Sequence, residues 1–417
     1  MNERPKKKSL TQREGFSSFM ASVLAILCGL AIGFVVLLIA DPVNAFPGLV
    51  AILTGGLSDL RNLGQVLYAA TPIILTGLSV GFANKTGLFN IGASGQFIVG
   101  AYVAVLVGVR CPFLPGPLLW LTCLLAATLA GALWGLLPGV LKALCNVNEV
   151  IACIMMNYIG MYGVNFLIQL TIFDSLKNQS LPVAAHANAP KLWMDRIFRS
   201  GATASSANAG ILIAVLAGIA VYYVIERTKF GYELKACGYS RDAARYAGIN
   251  EKRGIIWSMV IAGALSGLGG ACLYLAGAGK SIEVLDTLAA EGFNGIPVAL
   301  LGLNHPIGII FSGLFVAYLN QGGFNMQIYG FAPQVIDIII SVVIYFAAFS
   351  LLLRGIVERV LKRRAHKGTA AASAPSSGPA ASGAEQPAAT PQERPAAPSA
   401  EQPAAALREQ PKGGDNA

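Results

Sequence analysis

Long stretches of this chain carry no charge, and the polar residues between them gather in short clusters. Residues 19–40 contain no Asp, Glu, Lys or Arg, which gives about 33 Å of helix, enough to cross the hydrocarbon core of a bilayer. That stretch is too long, and too far from a small-residue cleavage site, for a signal peptide. Comparable apolar runs follow near residues 67–82, 87–109, 117–141, 150–173, 210–225, 255–275, 293–303, 306–319 and 333–353. The runs between 302 and 323 are short and interrupted by Asn304, His305 and Pro306. They predict broken or re-entrant helices, because irregular backbone survives at membrane depth only where protein buries it or a cavity solvates it. The expected fold is all-α, a polytopic membrane protein of about ten transmembrane helices.

Composition supports that class. Of 417 residues, 55% are hydrophobic, 12% are charged and 47 are glycine, more apolar sequence than a soluble core uses. If spans alternate from a cytoplasmic N-terminus, twenty Lys and Arg fall inside and seven outside. That asymmetry places both termini in the cytoplasm, in a bacterial inner or plasma membrane, and accounts for most of the net charge of +9. No interleaving of basic and aromatic residues suggests nucleic acid.

The predicted organisation is a basic N-terminus over 1–18, a membrane domain over 19–365, and a disordered Ala/Pro-rich tail over 366–417 that has too little apolar content to fold. Two loops stand out. The external one, 174–209, carries Trp193, Ile197 and Phe198, which suit a short helix lying on the membrane surface; a plain connector reads equally well. The cytoplasmic one, 226–254, holds seven Lys/Arg and four Asp/Glu between two apolar spans. There Ser240 is placed to cap a helix over 241–247, with Asp242 in its first turn and Gly248 to end it. Two turns are marginal alone, so docking must order them. Ala243, Ala244, Ala247 and Ile249 offer an apolar face, and Arg241 and Arg245 a basic one.

Several familiar chemistries find no support. The seven cysteines show no disulfide or metal spacing, and the three histidines are scattered. The run from Gly277 to Ser281 imitates the end of a phosphate-binding loop, but Tyr274 stands where its first glycine is required. The chain is therefore expected to bind no cofactor and to have no ATPase site of its own.

Polar residues inside apolar spans are expensive and point to function. One cluster runs from Lys85 to Gln96 with Phe89 and Asn90. A second holds Asn148 and Glu149, with Asn157 and Tyr158 two and a half turns later. Asn294, Asn304, Asn320, Gln321, Asn325, Gln334 and Asp337 complete the set. Helix packing is the plain alternative for any one of them, as for the Gly-xxx-Gly pairs at 77/81, 131/135 and 263/267.

Four stretches, GLFNIGASGQFIVGA at 87–101, NEVIACIMMNYI at 148–159, TKFGYELKACGYSRDAARYAGI at 228–249 and GFNGIPVALLGLNHPIGII at 292–310, occur in the order found in permease subunits of bacterial ABC importers. The chain resembles, more narrowly, the branch that takes up nucleosides and some simple sugars with a lipoprotein of the basic membrane protein type. The Asn-Glu-Val-Ile block is similar to that of the larger of two paired permeases. One departure is Ser94, where the family usually has Glu.

The resemblance implies a substrate-binding lipoprotein outside, a second permease in the membrane, and cytoplasmic ABC ATPases that use ATP. It makes the 241–247 helix a coupling helix, positioned by Arg241, Asp242, Arg245 and Tyr246 and shaped by Gly238 and Gly248. It also implies a pathway past Phe89, Asn90, Gln96, Asn148, Glu149, Asn157, Tyr158 and Asn304. The cargo is a nucleoside or a ribose- or galactose-type sugar. A secondary transporter would need ion sites of its own, for which Glu149 and Asp337 are the chief candidates.

Overall fold

The computed structural model describes residues 14–277 and 279–348, all within one compact unit. Residues 1–13 of the basic terminus expected over 1–18, the end of the last span and the 366–417 tail lie outside the described residues. Among the described residues, fourteen α-helices run in chain order: α1 Glu14–Ala40, α2 Ala45–Thr54, α3 Leu60–Lys85, α4 Ala93–Arg110, α5 Gly116–Cys145, α6 Glu149–Thr171, α7 Met194–Ile197, α8 Gly210–Arg227, α9 Lys229–Tyr239, α10 Arg241–Tyr246, α11 Glu251–Tyr274, α12 Ala290–Leu301, α13 Pro306–Met326 and α14 Pro333–Ala348. Among the described residues, seven helices are long and apolar enough to cross a membrane: α3, α4, α5, α6, α8, α11 and α13. With α1, α14 and the shorter apolar segments this is the expected all-α polytopic membrane protein.

The central bundle is built on glycine. A methyl group built on Gly131 would collide with the backbone of Gly263 and Gly267, and one on Gly263 with that of Gly131. The two Gly-xxx-Gly stripes thus let α5 and α11 cross backbone to backbone, a contact that dispersion and close approach favour where lipid offers no hydrophobic drive. Around this crossing, Leu75 and Leu78 of α3, Ala104 of α4, Ala127 of α5 and Val298 of α12 form the main core. A second core joins α1, α2, α13 and α14 through Leu37, Ile52, Leu319, Met326, Ile339 and Val343.

The structure extends the expected spans at most ends and departs from them in three places. Residues 86–92 are not helix but an irregular turn, entered through Gly87 at φ +75°. The apolar run at 45–54 forms the ten-residue α2, too short to cross alone, whose end is tied to α13 by a 2.9 Å bond from Asn325 Nδ2 to the Gly55 carbonyl. The 174–209 loop is a folded cap. It contains two small hairpins, β1 Phe173–Asp174 with β2 Gln179–Ser180 and β3 Arg199–Ser200 with β4 Thr203–Ala204, and the single turn α7. Ser180, Ala187, Ser205, Ala207 and Asn208 are buried in it.

Candidate functional site

Three polar regions lie along the bundle. At the end carrying Lys85 and Lys142, here the basic end, Ser240 caps α10 by accepting from the Ala243 N–H at 3.3 Å, and Gly248 stops it at φ +76°. The expected apolar face divides: Ala244 packs into the chain while Ala243, Ala247, Arg245 and Tyr246 remain exposed. Before α10 stands α9, which the sequence reading did not anticipate. Thr228 caps it, accepting from the Gly231 N–H at 3.0 Å, and Lys235 pairs with Glu226 at 2.9 Å. Its two glycines lower intrinsic helix propensity, but each fits a close contact: Gly231 on Ile225 of α8, and Gly238 on Thr86 and Gly87. Tyr232 and Tyr239 of α9 and Tyr246 of α10 are 69%, 89% and 95% exposed. Burial among nearby carboxylates pushes the Cys237 thiol up, so it stays protonated.

The second region is the amide cluster. Asn90 donates to Gln96 Oε1 at 2.8 Å and to Ser79 Oγ at 3.1 Å, and Gln96 returns a bond to Asn90 Oδ1 at 3.2 Å. Asn157 accepts from the Gly95 N–H at 2.8 Å and donates to the Ile91 carbonyl at 3.0 Å. All three side chains are buried, so the irregular turn finds its partners within the protein. Phe89 and Asn304 are half-buried and Tyr158 is exposed. Asn304, at φ +54°, accepts from Asn84 Nδ2 at 3.1 Å where α12 and α13 break. Asn148 caps α6, and Glu149 pairs with Lys142 at 2.8 Å. The structure thus groups Asn90, Gln96 and Asn157, and holds Asn148 with Glu149 and Asn304 apart from them.

The third region falls between the spans expected at 255–275 and 293–303, where the sequence predicts a connection. After α11 the chain is non-helical over 275–277 and 279–289, and α12 has just twelve residues, about 18 Å against a core of about 30 Å. Glu291 at its first turn lies beside the interior of α3, where Thr76 Oγ1 donates to the Glu291 carbonyl at 3.2 Å. Ser94 Oγ donates to the Ala289 carbonyl at 2.9 Å. Lys280 stands 4.0 Å from Glu291, and Asn165 on α6 holds the Leu285 carbonyl at 2.9 Å. The chain leading into α12 is therefore irregular backbone, carrying Glu283, Asp286 and Thr287 on its exposed side. Gly277 and Gly279, at φ +70° and +71°, belong to this descending segment rather than to a strand–helix phosphate loop. No group of acidic, His or Cys residues among those described suits a metal ion.

Comparison with known proteins places this architecture. The family described as branched-chain amino acid transport system / permease component matches residues 62–348. The chain is 35% identical, over 84% of its length and 99% of the relative's, to the guanosine ABC transporter permease protein NupP of Bacillus subtilis. It is 33% identical, over 84% and 96%, to the nucleoside ABC transporter permease protein NupB of Lactococcus lactis. A further relative, 33% identical over 78% and 85%, is the glucose ABC transporter permease protein TsgB13 of Haloferax volcanii. No solved structure matches the chain. With its spans, glycine crossing and broken α12 all inside the matched region, the chain belongs to this family of transport-system permease components.

Proposed function

We propose that this chain is the permease subunit of an ABC importer that carries nucleosides into the cell. The observation that carries the reading is the near end-to-end similarity to permeases named for guanosine and nucleosides. In this reading the basic end faces the cytoplasm, because Lys and Arg concentrate there. The α9–α10 unit docks on a cytoplasmic ATPase through Arg241, Arg245 and the exposed tyrosines, with Asp242, Gly238 and Gly248 fixing its shape, and ATP is consumed by that partner. A second permease chain completes the pathway, and a binding lipoprotein delivers cargo from outside. Phe89, Asn148, Tyr158 and Asn304 stand along the wall of the path, while Asn90, Gln96, Asn157 and the Glu149 pair brace it. An uncharged cargo suits a membrane interior with few ionisable groups.

A simple-sugar importer is the second reading, favoured by the glucose permease among the relatives. Uptake of labelled guanosine, adenosine, ribose and glucose into cells carrying the whole transporter separates the two. Competition by nucleosides and not by sugars is expected. Competition by sugars alone transfers the assignment to the second reading.

A further inference from the structure

The place where α3, α11 and α12 meet contains an unexplained group. Tyr68, on α3, buries its hydroxyl with no hydrogen-bond partner, the only such side-chain polar atom found among the described residues. An orphaned buried hydroxyl costs on the order of 1–3 kcal/mol, so a fold that keeps one has a use for it or fills it transiently. Its surroundings are polar. The Glu291 carboxylate lies within electrostatic reach of Tyr68 and of Tyr274 at the end of α11. Lys280 is the only cation paired with Glu291, at 4.0 Å and with both side chains partly solvated, a loose contact that leaves most of the carboxylate's acceptor capacity free. Elsewhere in the bundle buried polar side chains are spent on helix contacts: Ser79 on the Ala262 carbonyl, Ser266 on the Ala93 carbonyl, Asn90 on Gln96. Here an unpartnered donor and a carboxylate held by one loose cation lie within electrostatic reach of each other, beside the irregular chain that leads into α12.

We infer that Tyr68 and Glu291 form a sugar-hydroxyl subsite on the transport path, which takes the vicinal diol of a ribose or of a free sugar ring. An ionised carboxylate accepts two neighbouring hydroxyls, and a phenol donates to a third oxygen while its ring covers the apolar face of the sugar. Neither residue belongs to the amide cluster: Tyr68 stands within α3, and Glu291 in the first turn of α12, next to the irregular chain that leads into it, where such backbone lines a polar route rather than lipid. Glu291 releases Lys280 as the diol enters, so occupancy and the opening of this contact are linked. The inference rests on the importer reading for the identity of the transported molecule, but the chemistry it names is shared by both cargo classes.

The test uses the complete transporter in cells, with Tyr68→Phe and Glu291→Gln, and reads KM and maximal uptake rate for guanosine and for 2′,3′-dideoxyguanosine. Tyr68→Phe keeps the ring and removes only the orphaned oxygen, so it folds, and membrane levels and melting temperature of the purified complex check both variants. Each substitution is expected to lower the maximal rate for guanosine about tenfold, equivalent to about 1.4 kcal/mol, with KM held by the binding protein, while dideoxyguanosine uptake, already slow, falls no further. Equal loss for both nucleosides overturns the inference and makes the pair a structural or gating contact; no loss for either also overturns it. If the native transporter takes up sugars and no nucleoside, the cargo reading fails instead, and the same comparison run with ribose against 2-deoxyribose decides the subsite independently.

Discussion

Two neighbouring crossings of this bundle are made in opposite ways. The α11 crossing is one continuous helix, Glu251–Tyr274, sealed against α5 by glycine on glycine, with Ser266 donating to the Ala93 carbonyl and Ser258 paired with the Thr86 hydroxyl. The crossing that follows it is irregular chain over 279–289 and then the twelve-residue α12, with carboxylates and a lysine along it and the orphaned phenol of Tyr68 facing it from α3 within electrostatic reach of Glu291. The same solvent tolerates both because the first satisfies its backbone internally and the second only beside polar space. The difference separates scaffold from route: changes in the sealed crossing should cost folded protein, and changes along the broken one should cost transport.

The strongest break of that contrast is Gly263→Val. Its side chain meets the Gly131 backbone with no room for rotation, and overpacking of this kind costs about 1–3 kcal/mol or more. Folded transporter in the membrane should fall sharply, seen as loss of the monodisperse peak in detergent. Normal yield with impaired uptake would show that the glycine crossing moves during transport and is not scaffold.

Next in size is the basic end. Arg245→Glu changes an exposed side chain that touches nothing essential in this chain, so insertion and melting temperature should hold while uptake drops by about tenfold or more through lost docking. Gly238→Leu should also abolish uptake, but by pushing α9 away from Thr86 and Gly87, which lowers the melting temperature as well. Normal uptake by both variants would remove this unit from the coupling route.

A smaller effect is expected at the amide cluster. Asn90→Ala leaves Gln96 and Ser79 short of partners, at a cost of about 1–3 kcal/mol. Transport rate should fall with stability while the ratio of guanosine to adenosine uptake stays constant. A changed ratio at unchanged stability would turn the brace into a substrate contact.

Much of this was legible in the sequence, for identifiable reasons. The long spans follow from uncharged length, and the cap at Ser240 with the stop at Gly248 follows from local hydrogen bonding and φ, both of which act over a few residues. The Gly-xxx-Gly pairs at 131 and 263 were readable as packing stripes, but that they face each other is a tertiary fact. What escaped were elements whose reasons are non-local. The two glycines of α9 argue against helix until Gly87 and Ile225 are seen beside them. The apolar stretch of α2 is too short to declare itself without α13 to hold its end. Tyr68 and Glu291 gave no signal at all, since a tyrosine in an apolar run and a glutamate before a glycine are ordinary; only the missing hydrogen bond and the irregular backbone over 279–289 single them out.

The smallest effect bears on whether the broken crossing alone carries the route or an ion site shares it. Glu149 is paired with Lys142 at 2.8 Å at the basic ends of α6 and α5, a link between two helices rather than a carboxylate open to a permeating ion. The pair is partly solvated, so its coupling should measure about 0.5–1 kcal/mol in a double-mutant cycle on the melting temperature. Glu149→Gln should leave uptake within about twofold, because removing one partner of such a pair leaves the lysine able to reach water. Asp337, exposed on α14 beside Ile338 and Tyr345, should behave likewise as Asp337→Asn. Uptake should also survive collapse of the membrane potential by a protonophore so long as ATP is maintained. Loss of transport in either variant together with protonophore sensitivity would move the energy source from the ATPase to an ion gradient, and the secondary-transporter alternative would then hold.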